Sequence, residues 1–79
     1  MPNPPLLNTL RQRKRQLAQA AADFRDLLVR VNLIGTQTPP NHPRFALLLS
    51  LYEQLSELIS TLETAKSRLQ YQIDLLSRA

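Results

Sequence analysis

The chain has 79 residues, which is enough for one small domain near the lower limit at which a single chain buries a stable core. Apolar residues make up 43% of it, and 17 of these are leucine, whereas there is one glycine and no tryptophan or cysteine. The missing cysteines exclude a disulfide framework, a thiolate nucleophile and a cysteine-based zinc site. A leucine-rich, glycine-poor composition favours long helices over a sheet.

Charge is unevenly distributed along the chain. Residues 1–40 carry six Lys and Arg and two Asp, a net charge of +4, whereas residues 41–79 carry four of each sign and are neutral. An anionic partner is therefore expected to approach the first half. The N-terminus lacks the pattern of a signal peptide, and the longest apolar run, FALLLSL, is too short to cross a bilayer. We expect a cytoplasmic chain without a transmembrane segment.

The segment GTQTPPNHP separates two leucine-rich stretches. Gly35 suits the position after a helix, where a left-handed backbone is common. Asn41 can cap a second helix, and Pro43 can occupy its first turn, where a missing N–H costs nothing. The sequence therefore predicts an all-α fold, a coiled-coil-like antiparallel hairpin of two helices. We expect one domain of residues 1–79, with helices at about 4–34 and 43–78 and a turn at 35–43.

Leucines recur every seven residues in the second half, a spacing typical of a coiled-coil seam. The predicted seam of the second helix contains Leu48, Leu55, Leu62, Leu69 and Leu76, with Leu51, Leu58 and Ala65 beside them. That of the first helix contains Leu10, Leu17, Phe24 and Val31, with Leu7, Lys14, Ala21 and Leu28 beside them. If the chain folds back at its prolines, facing residue numbers add to about 79, although a half-heptad slip would also align many apolar residues.

A further apolar column runs beside this predicted seam, where a lone hairpin usually carries charged residues. An apolar stripe that is wider than one partner helix can cover predicts packing against a further surface. The alternative is that these side chains lean over the seam of a stable monomer. We expect association, with a protein partner or with itself, through a predicted interface of Ala20, Leu27, Ile34, Phe45, Tyr52, Ile59 and Ile73.

The run RQRKRQ places four cations in six positions near the N-terminus. In the predicted register, Arg13 and Lys14 lie opposite Lys66 and Ala65, so folding gathers the cations. This basic patch, a candidate site for an anion or an acidic partner, consists of Arg11, Arg13, Lys14, Arg15, Lys66 and Arg68. No aromatic residue lies within the run, so any nucleic acid would be recognised by its backbone charge and not by base stacking. The alternatives are a solvated helix face and, less favoured, an anionic membrane surface.

Residues with catalytic potential are few. His42 lies among prolines in the predicted turn, and the single glycine excludes a glycine-rich phosphate loop. Four acids come near the middle of the predicted hairpin, where a solvated band is the preferred interpretation because two helices offer no cleft to shift a pKa: Asp23, Asp26, Glu53 and Glu57. We expect no enzyme, no cofactor, no metal and no small-molecule substrate.

The stretch PPNHPRFALLLSLYEQLSEL, a proline-bearing turn followed by a leucine-rich helix, resembles the plan of needle subunits and small helical co-chaperones of bacterial type III secretion systems. The whole plan is also similar to the dimeric hairpins that form four-helix bundles and bind paired RNA in plasmid copy control. The first resemblance implies a non-catalytic interaction module, such as an adaptor, a chaperone or an apparatus subunit. The second implies a dimeric nucleic-acid-binding protein that uses the basic patch.

Overall fold

The computed structural model describes residues 4–78, which form two helices, α1 (Pro4–Thr36) and α2 (Pro43–Arg78), in contact along their length. The predicted all-α antiparallel hairpin is confirmed. Its principal extents are 61 × 14 × 12 Å and its radius of gyration is 17.8 Å, against about 12 Å for a compact chain of this length. Within the described residues, neither helix is long and apolar enough to cross a membrane.

α1 ends at Thr36, two residues later than predicted, so Gly35 lies inside the helix and has no positive φ. The left-handed conformation expected of Gly35 is therefore wrong. Threonine hydroxyls cap the C-terminal end of α1 instead. Thr36 Oγ1 donates to the Leu33 carbonyl and Thr38 Oγ1 donates to the Ile34 carbonyl, both at 2.8 Å. These bonds satisfy carbonyl groups that the end of a helix leaves without an intrahelical donor.

α2 begins at Pro43, as predicted, but the residue that caps it is His42 and not Asn41. The Nδ1 atom of His42 accepts a hydrogen bond from the Arg44 N–H at 3.0 Å, and its carbonyl accepts one from the Phe45 N–H at 2.9 Å. The His42 N–H donates in turn to the Pro39 carbonyl at 2.9 Å. The turn histidine therefore has a structural role that its sequence context did not reveal.

The helices meet along a seam whose members recur at alternating three- and four-residue steps, as in a coiled coil. Five seam side chains are buried: Leu7, Ala21, Val31, Leu55 and Ile73. The half-buried members are Leu10, Lys14, Leu17, Phe24, Leu28 and Gly35 on α1, and Phe45, Leu48, Ile59, Leu62, Lys66, Leu69 and Leu76 on α2. The predicted α1 series and the leucine heptad of α2 therefore line the seam.

In the α2 seam, the residues that lie beside the leucine heptad are one position later in the sequence than predicted. Leu51 and Leu58, which the repeat placed in the seam, are 42% and 46% exposed, whereas Ile73 is 5% exposed. The series through Phe45, Tyr52, Ile59, Lys66 and Ile73 is apolar at both helix ends, while the alternative through Leu51 and Leu58 begins with Arg44 and ends with Gln72. Turning the series through Phe45 and Ile73 inward therefore buries more apolar surface than the alternative would, although it places one lysine in the seam.

The register also differs from the predicted one. Lys14 Nζ donates to Gln70 Oε1 and Arg25 Nη2 donates to Glu63 Oε1 across the hairpin. The numbers of these pairs add to 84 and 88, above the predicted 79. Both sums are shifted from 79 in the direction of the half-heptad alternative, in which directly facing residue numbers add to about 83. Arg13 and Lys66, which the predicted register placed opposite each other, are consequently out of line along the hairpin.

Candidate interaction surfaces

One side of the hairpin carries an exposed apolar surface, which we call the apolar flank. Its members precede seam residues by one position and come from both helices: Ala20, Leu27 and Ile34 on α1, and Leu51, Leu58 and Ala65 on α2. Near the turn, Ile34 and Leu51 line one groove of about 380 Å³ together with Leu47. Apolar side chains of the two helices therefore lie beside one another on this side near the turn.

The apolar flank is exposed to an extent that is unusual for leucine and isoleucine side chains. Leu27 is 45% exposed and Ile34 is 50% exposed, values similar to those of Leu51 and Leu58. Leu47, at the edge of the flank, is 71% exposed. A contiguous apolar surface of this kind marks a site of protein association in soluble proteins, because single scattered apolar residues would not form a groove.

The structure divides the predicted interface between two environments. Its α1 members lie on the apolar flank, where Ala20 is half-buried and Leu27 and Ile34 are exposed. Its α2 members lie along the seam instead. Phe45 and Ile59 are half-buried, Tyr52 is 39% exposed and Ile73 is buried in the core. On α2 the residues that face outward are therefore Leu51 and Leu58, which the sequence interpretation assigned to the seam.

The opposite side of the hairpin is mainly polar, although Leu49, two heptads before Glu63, is 50% exposed near the turn. Glu63 lies at its centre and binds two cations, Arg25 across the hairpin and Lys66 at 2.9 Å one turn along α2. The hydrogen bonds from Lys66 and then Arg25 hold the pKa of the Glu63 carboxyl below its ordinary value. The pair with Lys66 also places a counter-charge beside the one lysine of the α2 seam.

The basic patch predicted from the sequence is distributed around the end of the hairpin far from the turn. Arg11, Lys14 and Arg15 line one groove of about 580 Å³, together with Gln70 and Asp74 of α2. Within this groove, Gln70 accepts from Lys14 and donates through Nε2 to Asp74 Oδ1 at 2.8 Å. The groove therefore holds two arginines and a bonded lysine beside one carboxylate.

The remaining members of the basic patch lie outside this groove. Arg13 lines a second groove, of about 530 Å³, with Leu10, Leu17 and Leu69. Lys66 is paired with Glu63. Arg68 is exposed on α2. Across residues 4–78, the only ion pairs join Glu63 to Arg25 and Lys66, so the four arginines of the patch form none.

Side chains with metal-binding potential do not cluster in the described part of the chain, where no group of three or more His, Asp or Glu residues could hold an ion. The four acids near the middle of the hairpin are all exposed. Asp23 accepts a hydrogen bond from Gln19 Nε2 at 3.0 Å.

Comparisons with family models, with curated proteins and with solved structures give no significant match to this chain.

Proposed function

We propose that this protein is a non-catalytic interaction module, a small helical-hairpin subunit, adaptor or chaperone that packs its apolar flank against another helical protein or against itself. The observation that carries the proposal is the exposure of Leu27, Ile34, Leu51 and Leu58 on one side of a two-helix structure. A secretion-apparatus subunit or a co-chaperone would have this kind of role.

The proposal is supported by the small size of the hairpin core. Only five of the described side chains are buried, and none of them is a large side chain with less than 2% exposure. A domain of this length seldom gains enough stability from its own core. Covering the apolar flank would add buried apolar surface at about 25 cal/mol per Å², which gives a physical reason for association.

Photo-crosslinking in the native cell tests this role. Benzoylphenylalanine at position 27, on the apolar flank, should form covalent adducts with protein. The same residue at Tyr71, whose side chain is 66% exposed on α2, is the control, because it is more accessible than Leu27 but does not belong to the apolar flank. Absence of adducts at position 27, or equal yields at both positions, would contradict the proposal.

A second candidate function is binding of a nucleic acid through its backbone charge. The observation that favours it is the groove in which Arg11 and Arg15 lie side by side and form no ion pair among residues 4–78. Fluorescence anisotropy with duplex RNA and DNA at several salt concentrations tests it. The double variant Arg11→Gln, Arg15→Gln should then bind more weakly and release about two fewer counterions, which lowers the salt dependence of binding. Binding that is unaffected by these changes would exclude this groove as the nucleic-acid site.

A further inference from the structure

We propose that the partner covering the apolar flank is a second copy of this chain, in which α1 packs antiparallel against α1 of the first copy with Leu27 on the two-fold axis. This inference rests on the interaction role proposed above and identifies its partner. It is carried by the surface area of the hairpin, by the order of side chains along α1, and by the placement of the charges.

The hairpin has more surface than a monomer of its mass requires. Its accessible area is 6081 Å², whereas a compact monomer of 9.0 kDa has about 4,900 Å². A standard protein interface removes about 800 Å² from each partner. One face-to-face contact with a second copy therefore brings the exposed area per chain close to that of a compact protein.

The apolar residues of α1 are self-complementary in an antiparallel arrangement. Residues that face each other across a two-fold axis have numbers adding to a constant, which is 54 when Leu27 lies on the axis. Ala20 of one copy then faces Ile34 of the other, so a small side chain meets a large one on both sides of the axis. Leu51 and Leu58 of α2 lie on the same flank and extend the contact to four helices.

Charges beside the apolar flank match the same arrangement. Asp23 and Arg30 lie on the neighbouring stripe of α1, three residues after Ala20 and Leu27, and their numbers add to 53. Each Asp23 carboxylate therefore meets the Arg30 guanidinium of the other copy, once on each side of the axis. Both side chains are exposed, and neither forms an ion pair within residues 4–78. Opposite charges at these positions favour one register and one orientation.

The basic patch favours the antiparallel orientation as well. In a parallel pair, the cations around Arg11 and Arg15 of the two copies would lie side by side and repel each other. In the antiparallel pair they lie at opposite ends of the assembly. At 1.5 Å per residue, the two copies of Gln12 are then separated by about 45 Å along the helix axis.

Charge reversal with sedimentation equilibrium tests the pairing. The chain should have a mass of about 18 kDa, twice the 9.0 kDa of one copy. Asp23→Arg and Arg30→Asp should each raise the dimer dissociation constant about tenfold or more, and the double variant should restore it. Asp26→Arg, one turn from Arg30 on the outer face, is the matched control and should leave the constant unchanged. A monomeric mass, or a dimer whose dissociation constant does not respond to these changes, overturns the inference.

Spin labels on Gln12→Cys, in a chain that has no other cysteine, determine the orientation. Double electron–electron resonance should give a distance of about 45 Å, whereas a parallel dimer would give a distance under about 20 Å and overturn the inference.

The crosslinking experiment at position 27 separates the two proposals. A self-adduct supports both, an adduct with a different protein alone retains the interaction role and overturns the homodimer, and no adduct contradicts the interaction role.

Discussion

Arg25 of α1 and Glu63 of α2 are 38 positions apart in the sequence and form a hydrogen-bonded ion pair across the hairpin. The pair lies on the polar side of the structure, whereas Leu27 and Leu58 are exposed on the opposite side. The two sides of one helix pair therefore have different roles. On the polar side Glu63 pairs with Arg25 and Lys66, and the apolar side supplies the surface available to a partner.

Replacing Glu63 by Gln should weaken the dependence of stability on pH in the acid range. Because the pKa of Glu63 is lower in the folded state, its stabilising contribution is fully present above the unfolded pKa, about 4.3, and is lost as the pH falls through the folded pKa. Thermal unfolding between about pH 2 and pH 7 measures this effect. Glu57→Gln is the control, since Glu57 is exposed and forms no ion pair among the described residues. An identical pH dependence in both variants would contradict the prediction.

Replacing Lys14 by Leu should stabilise the hairpin. Lys14 is half-buried in the seam, where a leucine would bury apolar surface in place of the bond to Gln70. Burial of a leucine contributes more than the net value of one hydrogen bond, so we expect a gain of about 1 kcal/mol in the free energy of unfolding. Denaturant titration measures it, with Arg13→Leu on the exposed neighbour as the control. A loss of stability at Lys14 would show that the seam requires the cation.

Replacing Gly35 by Ala should also stabilise the chain. Gly35 is helical, has no positive φ, and an added Cβ would meet no atom within 4 Å. Alanine restricts the unfolded chain and has a higher helix propensity, which together raise the free energy of unfolding by about 0.5–1 kcal/mol. Calorimetry would detect the higher Tm. A lower Tm would instead support the left-handed conformation that the sequence suggested for this position.

Replacing His42 by Ala should destabilise α2, because it removes the acceptor for the Arg44 N–H. Loss of an N-cap costs about 1 kcal/mol. His42→Asn should retain most of the stability, since asparagine is a good N-cap residue, and Asn41→Ala tests the residue that was predicted to cap. Chemical denaturation compares the three variants. A larger effect at Asn41 than at His42 would place the cap where the sequence alone suggested it.

The sequence could predict those features that depend on neighbouring residues. Pro39, Pro40 and Pro43 interrupt the helical pattern, so the turn and the start of α2 are local consequences of backbone geometry. The seven-residue repeat likewise identified every member of the α1 seam except Gly35. The residue at which α1 ends was harder to predict from the sequence. The hydroxyls of Thr36 and Thr38 cap this end, and several other residue types could have done so.

By itself, the sequence determined that the chain is an all-α hairpin with more apolar surface than one partner helix covers. Only the tertiary structure decided which α2 series faces inward, because Leu58 and Ile59 belong to adjacent apolar series and each gives a plausible seam. The choice depends on burial summed over both ends of the helix, where Phe45 and Ile73 exceed Arg44 and Gln72 in apolar surface. That sum is a property of the packed pair of helices, and it left Leu51 and Leu58 on the outer surface beside Leu27 and Ile34.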